Sequence, residues 1–350
     1  MKRKIILGVL SAVGISALAL AGYNRLTAER LPEEMPAHED ILPPLEANLC
    51  AGLNVNQLEG DTSYKRGFKY LLKESTYVNI KNQGFDHLRL PINFCLFYSE
   101  EEDALDEENM QKIDEILNLA ERAGLYTFID FHGWWELGKN YKTDAPKFIR
   151  IWQLVAERYK DRSNHIAFEL LNEPKYNHLP PAKLNKLQAE TVAVIRETNP
   201  ERLILLAAPD GNQPWLLGEM QIPEGDENLA VAVHIYHPGD FTHQGFTWAG
   251  REAGKQVRLD EKMKNELKWN LDETKKFTDN TGIPVFLNEF GLNLNLADKE
   301  DIDYYIRTIT QFCKDNSIPW TWWEYNSGEM GLYVWNKWRT EILDALFLRK

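Results

Sequence analysis

The sequence predicts an α/β protein built as a single (β/α)8 barrel of the TIM type. Three observations carry that expectation. Eight short apolar runs follow one another from residue 46 onward, amphipathic helical patterns separate them, and polar or ionisable residues gather where the runs end. Near-continuous apolar runs suit parallel strands covered on both faces. Eight strand–helix units in about 300 residues match a fold that typically needs about 250 and tolerates insertions. The rival, an open doubly wound sheet, would carry a Gly-rich phosphate loop after an early strand, and the sequence has none there.

The expected strands are Leu49–Val55, His87–Ile92, Tyr126–Phe131, Ile166–Leu171, Leu203–Ala207, Leu229–Ile235, Pro284–Leu287 and Pro319–Trp323. Between them, Met110, Ile113, Leu117, Ala120 and Ala123 recur at helical steps. So do Phe148, Ile151, Trp152, Val155 and Tyr159, and again Ile302, Tyr305, Ile306, Ile309 and Phe312. Met263, Leu267, Leu271 and Thr274 mark a longer, more polar helix, and the first helix, around Gly67–Asn82, has the least regular pattern. Gly124 stands where the second helix should stop.

The N-terminus is different material. Lys2, Arg3 and Lys4 precede an uncharged run, Ile5–Ala21, which ends in the small-x-small pattern Ala19-Leu20-Ala21. Residues 1–21 read as a secretory signal peptide, with an uncleaved membrane anchor as the alternative because the apolar run is long. Either way the body is expected outside the cytoplasm, secreted or periplasmic. Tyr23 sits where a lipoprotein would need Cys. Residues 22–45, with Pro32, Pro36, Pro43 and Pro44 among acids, read as a tether, and residues 46–350 as the barrel. No Ser/Thr/Pro-rich linker follows, so no appended module is expected.

The net charge of −13, from 40 basic and 53 acidic residues, argues against a nucleic-acid or anionic-membrane partner, since both demand a basic face. A membrane contact is expected only if residues 1–21 stay uncleaved. Cys50, Cys95 and Cys313 are too widely spaced for a metal motif. Their plain reading is buried thiols, with a Cys50–Cys95 disulfide left open.

In a (β/α)8 barrel the chemistry sits at the C-terminal ends of the strands. There the sequence places Arg89, then Asp130-Phe131-His132, Asn172-Glu173-Pro174, His234-Ile235-Tyr236, Asn288-Glu289-Phe290-Gly291 and Trp322-Trp323-Glu324-Tyr325. Buried strand ends have no structural need for such groups, which are costly when unpaired. Glu173 and Glu289, on strands four and seven, would face each other across the mouth. Glycoside hydrolysis needs such a pair, one carboxyl protonated and one ionised. A cation such as Arg89 would hold one Glu ionised, and burial would keep the other protonated.

These residues resemble glycoside hydrolase family 5, the cellulase family. The resemblance spans about residues 46–345. It rests on HLRLPI (87–92), FIDFHG (128–133), FELLNEP (168–174), HIYHP (234–238), FTHQG (241–245), FLNEFG (286–291) and WTWWEYNSG (320–328), seven blocks in order. It implies a retaining mechanism with Glu173 as acid/base and Glu289 as nucleophile. Asn172 would bond the sugar 2-hydroxyl, and Arg89 and Tyr236 would hold Glu289. His234 would sit by Glu173, His132 would bond around the −1 sugar, and Trp323 would form its floor. Two positions depart from many relatives: Asn288 stands where they carry Gly, and Gly133 where they carry a second His.

Trp134, Trp135, Trp248 and Tyr325 are candidate sugar platforms, each weighed against plain rim packing; Trp215 is a weaker candidate. Trp152 and Trp269 lie on helices and read as packing. His234 and His237, three apart on a strand end, point to opposite faces, so no metal site is expected, nor any cofactor. The acidic run Glu100–Glu108 reads as a solvated loop. The sequence therefore predicts a monomeric endo-β-1,4-glucanase acting on polysaccharide or oligosaccharide. Mannanase, xyloglucanase or another β-glycanase of the same family is the alternative. The readings from other classes are a non-catalytic carbohydrate-binding barrel and an envelope-anchored structural protein.

Overall fold

A computed structural model describes residues 51–55, 73–326 and 328–349. The signal and tether expectations, Cys50 and the start of the expected first helix lie outside these residues. Among the described residues, no helix is long and apolar enough to cross a membrane.

Eight parallel strands close into a barrel: β1 (Ala51–Asn54), β2 (His87–Ile92), β3 (Tyr126–Phe131), β4 (Ile166–Glu169), β5 (Ile204–Ala207), β6 (Leu229–His234), β7 (Val285–Phe290) and β8 (Trp320–Trp322). Each pairs with its neighbours in chain order, and β8 closes on β1. The strands are followed by α1 (Glu74–Gln83), α2 (Glu107–Arg122), α3 (Tyr141–Tyr159), α4 (Pro181–Arg196), α5 (Pro209–Asn212), α6 (Glu261–Thr281), α7 (Lys299–Asp315) and α8 (Thr340–Leu346). The apolar residues that mark α2, α3, α6 and α7 in the sequence are the ones turned to the barrel: Ile113 and Leu117, Ile151 and Trp152, Leu267 and Leu271, Tyr305 and Ile309. Acidic caps start three of these helices. Asp106 accepts from Asn109 N, Asp260 from Met263 N and Asp298 from Glu300 N, each worth about 1 kcal/mol. Gly124, at φ 73, stops the chain after α2 as its sequence position implies.

Three expectations need correction. α5 is a single kinked turn with Asp210 and Gly211 at φ 51 and 79, so the fifth unit lacks a full helix. β7 runs past the expected Leu287, through Glu289 to Phe290, whereas β2 spans His87–Ile92 as expected. The acidic run is not a bare solvated loop. It carries a small ribbon, Tyr98–Ser99 with Ala104–Leu105, and acids of its turn and of the start of α2 pair with α3: Glu100 with Lys147 (2.7 Å), Asp103 with Arg150 (2.9 Å) and Glu107 with Arg158 (2.8 Å).

Strand alternation divides the core into two parts. Outward-facing Leu88, Leu90, Ile129, Phe168, Leu206, Val231 and Leu287 pack against the helices. Each such side chain contributes about 1.5–3 kcal/mol by burial. Inward-facing Tyr126, Phe128, Ala167, Leu205, Ala230, Ala232 and Phe286 fill the lower barrel. One step further along the same inward positions come Asn54, Arg89, Asp130, Glu169, His234 and Asn288, all buried. The top layer of the barrel interior is thus polar, directly beneath the mouth.

Candidate active site

Arg89 is the hub of that layer. It is fully buried, and its guanidinium reaches five acceptor residues at four strand ends. Nε and Nη2 donate to the two oxygens of Glu169 (2.7 and 2.8 Å). Nη1 donates to Glu289 Oε1 (2.6 Å) and Asn54 Oδ1 (3.1 Å). Nη2 also meets Asn172 Oδ1 (2.8 Å) and Asp130 Oδ2 (2.9 Å). Three carboxylates around one guanidinium raise its pKa well above the ordinary arginine value, against the opposing effect of burial. A planar fork with five N–H groups suits this geometry, and lysine would not.

The remaining partners are tied to this hub. Asp130 Oδ2 lies 2.6 Å from His132 Nδ1. A proton on Nδ1 leaves His132 Nε2 to accept from Asn172 Nδ2 at 3.3 Å. Asn172 is therefore oriented from both ends of its amide. Trp323 stacks on the His132 ring (5.8 Å between centroids, 19°), half-buried at the end of β8.

Glu289 is held by two donors, Arg89 at Oε1 and the Tyr236 hydroxyl at Oε2 (2.9 Å). Its presence in the mouth depends on an irregularity of β7. On one side Val233 pairs with Leu287 and His234 with Glu289; on the other Trp320 pairs with Leu287 and Trp322 with Phe290. β7 has one residue more than either neighbour over this stretch. Such a bulge re-aims a side chain, and here both Asn288 and Glu289 serve the polar layer. Next in the chain, a Cβ on Gly291 would run into the Trp323 carbonyl oxygen, so only glycine lets β7 and β8 approach this closely.

Glu173 follows β4 with φ 45, a left-handed conformation strained for a side chain of this size. Its N–H donates to Asn212 Oδ1 at the end of α5 (3.1 Å). Its carboxylate lies 3.0 Å from His234 Nδ1, which is 3.7 Å from Glu289 Oε2. One oxygen of each Glu and a ring nitrogen of His234 fall within 4.8 Å of one another.

Burial distinguishes the two carboxyls, but not as the sequence suggested. Burial falls on Glu289, whereas the Glu173 side chain is 31% exposed. Burial pushes the Glu289 carboxyl above its ordinary pKa, with His234 and Arg89 pulling it back down. Burial also lowers His234 to about 4, so the imidazole is neutral near pH 7. It can donate to an ionised Glu173 or accept from a protonated one. The three-group cluster has a spacing that could bridge a metal ion. Both Glu289 oxygens already accept hydrogen bonds, however, and a cation there would compete with Arg89.

The structure brings together Arg89, His132, Asn172, Glu173, His234, Tyr236, Glu289 and Trp323. Trp135, 38% exposed, stands edge-on over His132 (6.0 Å). Trp248, 73% exposed, stacks on Phe246 (5.3 Å) and meets His243, which contacts Tyr236. Two candidate platforms need correction. Tyr325 is only 4% exposed, with one face against Tyr333 (5.4 Å, 6°), so no sugar can reach it. Trp134 is half-buried against Phe131 and Phe148 with Lys147 over its ring, which is rim packing. Trp269 lies stacked on Trp215 (5.9 Å) on the outer rim, and Trp152 is buried. His237 turns away from the site to Glu266 (2.9 Å).

Sequence reasoning missed Asn54, Asp130, Glu169 and Asn288 as site members. Glu169 both grips Arg89 and accepts from Asn288 Nδ2 (2.7 Å). The available signal was strand parity: Ala167 and Glu169 share the inward face of β4, four residues before Glu173.

Comparison with known proteins matches residues 51–329 to the cellulase model, glycosyl hydrolase family 5. Endoglucanase A of Ruminococcus albus is 28% identical over 301 residues, covering 76% of this chain and 79% of that protein. Endoglucanase H of Acetivibrio thermocellus is 23% identical over 295 residues, covering 82% of this chain; the match spans 31% of that longer protein's length. Among solved structures, the cellulose synthase subunit Z of Clostridioides difficile superposes with a TM-score of 0.79 at 29% identity, covering 85% of this chain and 99% of that one. Cel5A of Thermotoga maritima, solved with cellobiose, superposes at 0.77 with 25% identity, covering 85% and 97%; it has also been solved with mannotriose.

Proposed function

The chain belongs to the cellulase family, glycosyl hydrolase family 5, and on that premise we propose that it cleaves β-1,4-linked glucan internally with retention of anomeric configuration. The observation that carries this reading is the Glu173–Glu289 pair. Oxygens from the two carboxyls lie within 4.8 Å, the short separation of retaining enzymes (about 5–5.5 Å between carboxyl groups) rather than the wider gap that admits a water.

In the first step the Glu289 carboxylate, steered by Arg89 and Tyr236, attacks the anomeric carbon. Glu173 gives its proton to the glycosidic oxygen as that C–O bond breaks, and a glycosyl ester forms on Glu289. In the second step Glu173 takes a proton from water, whose oxygen displaces Glu289. Each turnover consumes one water and restores both carboxyls. The remaining Nδ2–H of Asn172 can bond the 2-hydroxyl, Trp323 lies under the −1 sugar, and Trp135 and Trp248 offer stacking faces further out. The chain acts outside the cytoplasm, exported through residues 1–21, and as a monomer.

The β-1,4-glucan assignment draws on relatives named endoglucanase and on a neighbour solved with cellobiose. Mannan is the second reading, because the same Cel5A has been solved with mannotriose. The test is reducing-end release from soluble β-glucan, lichenan, xyloglucan, mannan and xylan, with Glu289→Gln alongside. Release from a β-1,4-glucan, lost in the variant while binding persists, supports the proposal. Release only from mannan or xylan replaces the substrate. Silence on all five from a folded protein leaves a carbohydrate-binding barrel.

A further inference from the structure

Beyond Trp323 the chain forms an antiparallel ribbon, Tyr333–Val334 with Lys337–Trp338, closed by the two-residue turn Trp335–Asn336. Both turn residues have positive φ, 54 for Trp335 and 59 for Asn336. Two left-handed residues in succession are what a type I′ turn requires, and Asn, Asp and Gly normally fill it. Asn336 fits that rule. Trp335 does not, because a bulky side chain is strained there. Its indole is also 92% exposed, so folding gains almost nothing from it. A residue that strains its turn and adds almost nothing to the core points to a use outside the fold.

The ribbon is a rigid mount. Tyr333 lies flat on Tyr325, Trp338 stacks on Phe85 (6.3 Å), and Arg339 Nη2 donates to Asn295 Oδ1 after β7 (2.7 Å) and to the Gly328 carbonyl (3.1 Å). The ribbon belongs to the segment that follows β8, which also carries Trp323 into the mouth. In the closed ring of strands, β8 stands four places from β4 in either direction. Glu173 follows β4 and would protonate the leaving oxygen, so the departing sugars lie on the β4 side. The β8 side then holds the retained, non-reducing part of the chain. The ribbon also lies beyond the residues matched by the family model, which end at 329.

We propose that Trp335 is a distal stacking site for a glucose unit on the non-reducing side of the cleft, gripping polymers too long to be held by the mouth alone. This rests on the glucanase reading above. The occupant is the neutral, flat face of a pyranose. An anionic membrane surface is a poor fit for a chain of net charge −13.

The test is Trp335→Gly in the full chain. Glycine accepts positive φ, so Tm should hold or rise, which separates loss of the ring from damage to the turn. On a short aryl cellobioside, kcat/KM should match the parent. On long soluble β-1,4-glucan, KM should rise roughly three- to tenfold with kcat unchanged, the signature of lost uniform binding through one aromatic contact. Retardation in gels containing the polymer reads the same contact without turnover, so Trp335 is tested even if the parent hydrolyses nothing. Parental kinetics and retardation on the polymer would overturn the proposal. So would polymer behaviour like the parent's combined with lost co-sedimentation on zwitterionic lipid vesicles, which would assign the indole to a membrane.

Discussion

Glu169 makes no contact with the reacting atoms in the proposed reaction, yet Glu169→Gln should shift the pH dependence of activity. Glu169 Oε2 accepts from Arg89 Nε and Asn288 Nδ2, and Oε1 from Arg89 Nη2. The amide can keep its oxygen at the first place and must turn its NH2 toward Nη2. One bond is lost, but Nη2 keeps Asn172 and Asp130. Given the worth of charge-assisted hydrogen bonds, the loss is about 1–3 kcal/mol, or a few degrees in Tm. The larger effect is on charge. Glu169 and Glu289 share one guanidinium, and two unit charges at that separation repel by roughly 2–3 kcal/mol at an effective dielectric of about 20. Removing the Glu169 charge makes ionised Glu289 easier to form, so the Glu289 pKa falls. The acidic limb of kcat/KM, which reports the free enzyme, should move to lower pH. The weaker nucleophile should lower kcat as well. Initial rates from pH 3 to 8, beside thermal melts, decide the matter. A lower Tm with an unmoved limb would make Glu169 purely structural, and a limb that moves up would refute the charge argument.

Two further outcomes follow from the same geometry. Glu173→Ala should lose roughly 10²–10⁴-fold on glucan, but much less on glycosides of acidic phenols, which leave without a proton. Equal loss on both, measured as kcat/KM, would contradict its role as acid. Burial pushes both His234 and His243 down to about 4, while an unfolded His titrates near 6.5. Between those values the unfolded chain takes up protons that the folded chain refuses. Stability should therefore fall on acidification through that window, by up to about 1.4 kcal/mol per pH unit for each His, and be indifferent to these groups above it. His243→Gln should remove one such share from the slope of unfolding free energy against pH, read by urea titration. An unchanged slope would count against the buried neutral state.

Much of the fold was legible because its signals are local. A strand covered on both faces must be apolar throughout, and a helix must repeat at 3.6 residues, so all eight strands and the helices α2, α3, α6 and α7 leave traces in the sequence. α5 left none, being a single turn. The two Glu and their neighbours were legible because ionisable groups at the ends of buried strands have no structural excuse. Strand ends were less clear: β7 runs on from Leu287 to Phe290, and only its pairing with β6 and β8 reveals it.

By itself, the sequence determined which residue types arrive at the barrel mouth and on which strands. Tertiary structure alone decided how they are shared. Glu169 becomes the second partner of Arg89 only when β2 and β4 curve around one interior. Glu289 enters the mouth only through the extra residue that β7 carries against β6 and β8. Tyr325 is closed off by Tyr333, which stacks on it from the ribbon beyond β8. Each of these depends on contacts between strands or segments that the chain brings together only on closing. Periodicity records which face of an element is buried; it holds no record of what stands opposite.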